Sequence, residues 1–181
     1  MKKILKWSLI LIILILLFVV TDALAASSGS CGNTVTWEYD DDGTLTIMGT
    51  GDMTNYSGSG EVPWYSIRES IESVVIENGV TSIGDYSFYY FRSLESVSIP
   101  ETVNRIGEWA FASSCIPSIV IPGTVNSIGY RAFYCCDDGL ISVIIEDGVT
   151  SIGSMAFYRC QSLTDIKCLF LRRNIVYNLY L

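Results

Sequence analysis

The pair Ile-Gly recurs at Ile83-Gly84, Ile106-Gly107, Ile128-Gly129 and Ile152-Gly153, at steps of 23, 22 and 24 residues. A Phe follows each of these Ile by five residues, as Phe88, Phe111, Phe133 and Phe157. The hexapeptide GVTSIG stands at 79–84 and again, unchanged, at 148–153, three steps later. Self-similarity at a period of about 23 residues is the mark of a solenoid, in which each repeat is one supersecondary unit stacked on its neighbours. A unit this short cannot bury its apolar residues alone. Burial of one Phe or Ile is worth about 1.5–3 kcal/mol, so stacking is what makes the coil stable.

Alignment on Ile-Gly exposes the rest of the unit. The second copy runs Leu94, Val97, Ile99, Val103, Ile106, Ala110-Phe111, and the third Ile116, Ile119, Ile121, Val125, Ile128, Ala132-Phe133. The fourth runs Leu140, Val143, Ile145, Val149, Ile152, Ala156-Phe157, and the first Ile71, Val74, Ile76, Val80, Ile83, Ser87-Phe88. A fifth begins at Leu163 and Ile166, with Cys168 in the next apolar slot, and is not completed. Val97-x-Ile99 alternates, as a short half-buried strand does. The turn after it is made in two ways. Asn78-Gly79 and Asp147-Gly148 supply a residue that tolerates positive φ; Pro100-Glu101-Thr102 and Pro122-Gly123-Thr124 fix φ and remove a donor. Val103, Ile106 and Ala110, spaced by three and four, predict a helical turn on the far side of the coil. The predicted core of the repeat is Ile83, Phe88, Ile106, Phe111, Ile128, Phe133, Ile152 and Phe157, with a small residue before each Phe for close approach.

The unit L-x-x-V-x-I-x-x-x-V-x-x-I-G-x-x-A-F resembles the leucine-rich repeat, and more narrowly the BspA-type leucine-rich repeats of bacterial secreted and surface proteins. The words SVSIPETVNRIGEWAF and SVIIEDGVTSIGSMAF carry the resemblance. The segment from Cys31 to the first repeat is similar to the region that precedes the repeats in that family. The expected fold is an α/β solenoid: a horseshoe of about four and a half repeats over residues 71–168, with a parallel sheet on its concave face. The resemblance implies recognition of a protein, such as adhesion to a host or neighbouring cell.

The two ends read differently. Residues 1–25 combine Lys2, Lys3 and Lys6, an apolar run from Ile4 to Val20, and Ala23-Leu24-Ala25. That is a secretory signal peptide cleaved near Ala25. The mature chain is therefore expected to be secreted or at the cell surface, meeting a membrane only during export. Residues 26–70 are expected to cap the first repeat. Val35–Glu38 and Thr44–Met48 form a hairpin around Asp40-Asp41-Asp42-Gly43, and Trp37, Leu45, Ile47 and Trp64 cover the apolar end. The three aspartates could instead suggest calcium, but no Glu follows at loop spacing. The tail at 169–181 keeps neither Ile-Gly nor Ala-Phe, which reads as truncation or a frame change, or as a short closing element.

Composition narrows the chemistry. The chain has six cysteines and no histidine. Without imidazole there is no Ser-His-Asp or Cys-His nucleophile and no histidine zinc site. Carboxylate pairs such as Asp137-Asp138 lie in a loop with no facing partner across a cleft. No catalytic residue, metal ligand or cofactor is predicted. Removal of the leader with Lys2, Lys3, Lys6 and Asp22 takes the formal charge from −8 to −10, which opposes nucleic-acid binding. Cys136 and Cys160 follow Phe133 and Phe157 by three residues, as Phe91 follows Phe88. A slot that takes Phe or Cys is apolar, so both are expected as free buried thiols rather than a disulfide.

The candidate binding residues are those that point out of the concave strands. One column holds Val75, Ser98, Val120 and Ile144; beside it run Ser73, Ser96, Ser118 and Ser142. An aliphatic stripe with a hydroxyl border suits a protein partner. A glycan is the alternative ligand, through Tyr86 and Trp109 at one repeat position and Tyr89, Tyr134 and Tyr158 at another. A third reading makes the chain the N-terminal scaffold of a larger surface protein.

Overall fold

A computed structural model describes residues 27–168; the leader read at 1–25 and the tail at 169–181 lie outside the described residues. The described residues begin with an antiparallel meander of β1 (Ser27–Ser30), β2 (Val35–Tyr39) and β3 (Thr44–Gly49). Asp40 makes the turn between β2 and β3. Its carboxylate accepts the N–H groups of Asp42 at 3.0 Å and Thr44 at 2.8 Å, so this side chain is spent on its own backbone. β4 (Gly51–Asp52) follows, and then two short 3₁₀ turns, Ser59–Glu61 and Tyr65–Ser70, lead to the repeats.

Each repeat contributes one strand to each of two walls. The first wall takes β5 (Ser73–Ile76), β7 (Ser96–Ser98), β9 (Ser118–Ile121), β11 (Ser142–Ile145) and β13 (Asp165–Cys168). The second takes β6 (Val80–Ile83), β8 (Arg105–Ile106), β10 (Ser127–Ile128) and β12 (Ser151–Ile152). β3 pairs parallel with β5, Leu45 beside Val74 and Ile47 beside Ile76, so the capping hairpin continues into the first wall as far as β7. The second wall is a continuous parallel sheet from β4 to β12.

The solenoid and its parallel sheet are as the repeat implies, but the far side of the coil is not helical. No α-helix occurs among the described residues. The segment after each Ile-Gly turns twice through a left-handed residue: Tyr86 and Tyr90, Trp109 and Ser113, Arg131 and Cys135, Met155 and Arg159, all with φ between 54° and 65°. These turns aim alternate N–H groups along the solenoid axis. Phe88 N–H donates to Ala110 O, Phe111 to Ala132 and Phe133 to Ala156, each at 2.8 Å. A helix would direct those donors four residues back; here they join one coil to the next. A left-handed L-residue costs about 1–2 kcal/mol, and the inter-coil bonds and stacking offset that cost.

Between the walls lies the core. The rings of Phe88, Phe111, Phe133 and Phe157 form one column, with centroids 5.1, 5.3 and 5.0 Å apart and planes within 19°. Ile83, Ile106, Ile128 and Ile152 are all buried beside them. Trp64 ends the column: it stacks on Phe88 at 5.8 Å, and its indole N–H donates to Ser87 O at 2.9 Å. Trp37, Leu45 and Ile47 are buried around it. The Gly of Ile-Gly is required by proximity. A Cβ at Gly129 would lie 2.6 Å from Glu108 N and Gly107 C in the preceding coil.

Candidate functional site: the concave sheet and its break

The outward residues of the first wall form the two columns expected from the repeat. Ser73 stands beside Ser96, and Val75 beside Ser98. Further along, Ser118, Ser142 and Asp165 are in register, as are Val120, Ile144 and Lys167. None of the eight candidate residues is buried. Ser96 donates to Ser73 between their hydroxyls at 2.9 Å, which ties the border of the stripe. Val120 is 47% exposed, and Ile141 beside the same strands 52%. The structure brings Val120 and Ile144 into direct register but interrupts the stripe between Ser98 and Val120.

The interruption is a break in the sheet. β7 pairs with β5 and β9 with β11, but β7 and β9 do not pair. Pro117 explains it. At the entrance to each concave strand two successive N–H groups converge on one carbonyl of the coil before. Glu72 and Ser73 donate to Gly43 O, Glu95 and Ser96 to Glu72 O, Ile141 and Ser142 to Pro117 O, and Thr164 and Asp165 to Ile141 O. The bonds of the first donor measure 2.8–3.0 Å and those of the second 3.1–3.3 Å. In the third repeat the first donor position is Pro117, which has no N–H. Among the described residues, Glu95 O is the member of this column left without a donor, and Ser118 N–H bonds nothing across the gap. The second wall stays paired at the same level, Ser127 with Arg105 and Ile128 with Ile106. The coils thus remain stacked and only the concave sheet opens.

The gap is a groove of about 390 Å³ along Ser96–Ile99, Ser118 and Val120. It continues into a shallower hollow of about 630 Å³ that shares Ser98, Ile99 and Glu101. Val97 and Ile99 line it and are only half-buried, whereas their counterparts Val74, Ile76, Ile119, Ile121, Val143 and Ile145 are buried. Glu95, Glu101 and Glu146 stand around the groove, Glu77 edges the hollow, and no lining residue is basic. Glu146 is partly engaged, accepting Gly123 N–H at 3.1 Å. Sequence reasoning missed Glu95, Pro117 and Ile141, which sit one residue before the strand alternation starts. The available signal was Pro117 at a position where the other repeats carry residues with an N–H.

A family model for the BspA type leucine-rich repeat region, in six copies, matches residues 64–179. The chain belongs to this family. Among solved structures, a leucine-rich repeat protein from Eubacterium ventriosum ATCC 27560 is 28% identical over 80% of this chain and 44% of its own, with a TM-score of 0.65. The present chain therefore spans under half of that protein. A leucine-rich repeat protein of T. pallidum is 18% identical over 81% of both chains, with a TM-score of 0.55, and shares the fold. No curated protein matches the sequence.

The aromatic positions of this BspA-type chain pack against one another. Tyr86 and Trp109 stack at 5.9 Å with planes 8° apart, and Tyr134 stacks on Tyr158 at 5.9 Å. The guanidinium of Arg131 lies 4.8 Å from the ring centres of Trp109, Tyr130 and Tyr134. Stacking on a sugar needs an open ring face. Here Trp109 is covered by Tyr86 and Arg131, so the ridge joins coils. Its left-handed backbone explains the arrangement, because it turns positions 86, 109 and 131 toward one line.

The BspA-type coil also takes up the thiols. All six cysteines are free. Cys136 and Cys160 are buried, their thiols donating to Phe111 O at 3.3 Å and Phe133 O at 3.0 Å. The neighbouring Cys160 and burial hold the thiol of Cys136 well above the ordinary range. Cys31 is 2% exposed, and burial pushes its thiol up to about 12. A buried, protonated thiol is a poor nucleophile.

Proposed function

We propose that the chain is an exported, non-enzymatic recognition module whose concave sheet binds a protein at a cell surface. The observation that carries this reading is the register of the concave stripe. Parallel pairing aligns Val120 with Ile144 and borders them with Ser118 and Ser142, and Val120 and Ile141 are the most exposed aliphatic side chains among the described residues. Exposed aliphatics on a rigid sheet lose little conformational entropy on binding, which favours a protein interface. The leader at 1–25 supports export, and membership of a family resembling bacterial secreted and surface repeats supports location at the surface. The face has hydroxyls and aliphatics but no base–nucleophile pair, which supports binding over catalysis.

The test is binding of the purified mature chain to cultured epithelial and bacterial cells. Binding is expected to be lost when cells are treated with protease, and retained after periodate oxidation of their glycans. Val120→Glu with Ile144→Glu is expected to abolish it at an unchanged melting temperature. Binding that survives this double variant would move the interface to the loops or the turn face. Loss on periodate treatment alone would favour a glycan.

A further inference from the structure

The aromatic ridge on the turn face carries a chemistry that packing does not use. Tyr and Trp lose an electron readily because the phenol O–H or indole N–H can release its proton with it; Phe has no such proton. On this face Tyr and Trp form an unbroken line. Between ring centres, Tyr90 is 6.1 Å from Tyr89, Tyr89 6.2 Å from Trp109, Trp109 5.4 Å from Tyr134, and Tyr134 5.9 Å from Tyr158. These are the separations of rings in contact, so an electron can pass from neighbour to neighbour. Exposure is graded along the line. Tyr89, Trp109 and Tyr134 are half-buried, whereas the two ends, Tyr90 and Tyr158, are each 39% exposed. Trp109 is the accessible indole among the described residues, since Trp37 and Trp64 are buried. The guanidinium of Arg131, beside Trp109 and Tyr134, opposes a second positive charge there. An oxidised ring at that point therefore sheds its proton, and the vacancy moves on as a neutral radical.

We infer that the ridge is an oxidation relay whose ends, Tyr90 and Tyr158, are modification sites at which peroxide-driven one-electron oxidation joins two copies of the chain. The oxidant takes one electron from Trp109, and the indole proton leaves to water. The indolyl radical recovers an electron and a proton from Tyr89 or Tyr134, and the radical passes on to Tyr90 or Tyr158. Two such phenoxyl radicals, on two chains, form one carbon–carbon bond ortho to their oxygens. The ring hydrogens at that bond move to the oxygens as the rings regain aromaticity. Each chain has then lost one electron and one proton, and one hydrogen peroxide takes up both pairs as two water molecules. The inference goes beyond binding and does not depend on the concave face.

The test oxidises the mature chain with azide radicals in pulse radiolysis, which attack indole in preference to phenol. The indolyl absorption is expected to decay as the phenoxyl absorption rises, in a first-order step whose rate ignores protein concentration. Tyr89→Phe with Tyr134→Phe keeps both rings and is expected to abolish that step at an unchanged circular dichroism spectrum. With a peroxidase and hydrogen peroxide, peptide maps of the unaltered chain are expected to show dityrosine at Tyr90 and Tyr158. A conversion rate proportional to protein concentration, or a step that survives the double variant, would overturn the relay. Dityrosine found only at Tyr177 or Tyr180, or oxidation captured instead by Cys135, whose N–H donates to Tyr158 O at 3.0 Å, would overturn the assignment of the ends.

Discussion

Pro117→Thr is expected to stabilise the protein, which is unusual for a substitution beside a candidate site. Thr stands at the equivalent position 164, where its N–H donates to Ile141 O at 3.0 Å and the next residue adds a longer bond of 3.1 Å to the same carbonyl. At position 117 the same pair would reach Glu95 O. One good backbone bond is worth about 1 kcal/mol net, and the longer shared one about half of that. Closing the gap would also finish burying Val97 and Ile99; at about 25 cal/mol per Å², some 30 Å² adds roughly 0.75 kcal/mol. Against this stands loss of the rigidity of Pro, which costs about 0.4–1 kcal/mol through the unfolded chain. The balance is about 1.5 kcal/mol in favour of Thr. For a chain of this size that corresponds to about 3–6 °C in Tm. Calorimetry gives the shift, and hydrogen exchange at the Ser118 amide shows whether the bond has formed. A lower Tm with a rapidly exchanging Ser118 amide would refute the reasoning. The cause of the break would then lie elsewhere, for example in the 22-residue step between Ile106 and Ile128.

Phe133→Ala removes a ring stacked at 5.3 Å on Phe111 and at 5.0 Å on Phe157; a loss of about 3–5 kcal/mol is expected in urea unfolding. Trp109→Ala should lower Tm while leaving binding to a glycan array unchanged, and loss of specific glycan binding would overturn the packing role given to the ridge. The raised thiol of Cys31 predicts alkaline destabilisation. The folded state keeps that proton from its ordinary value of 9.0 up to about 12, while the unfolded chain releases it. Stability is therefore fully present below about pH 9 and falls by up to about 1.4 kcal/mol per pH unit above it. Cys31→Ala should make unfolding free energy less steep between pH 9 and 10.5, with Cys136 supplying part of the remaining slope. Non-reducing peptide maps should find Cys136 and Cys160 free, and a linked 136–160 peptide would contradict the geometry.

The repeat was legible because it is a property of the chain itself. Ile-Gly, Ala-Phe and the Val-x-Ile alternation fix coil length, the inward residues and the Phe column, since each small unit must bury the same set against its neighbour. Trp64 and the hairpin followed from the need to cover the first coil. The same local logic misread the far side. Spacings of three and four at Val103, Ile106 and Ala110 fit a helix, but Tyr, Trp, Arg and Met do not announce left-handed backbone as Gly or Asn would. Only the stacked coils, which receive the N–H groups of Phe88, Phe111 and Phe133, make that conformation favourable. Pro117 shows the limit most plainly. The sequence states that its N–H is missing. It does not state that Glu95 O faces it from the preceding coil, and so whether the missing donor matters. That carbonyl is 22 residues away along the chain, and only the tertiary stacking brings the two together and leaves an open, acidic gap in the sheet.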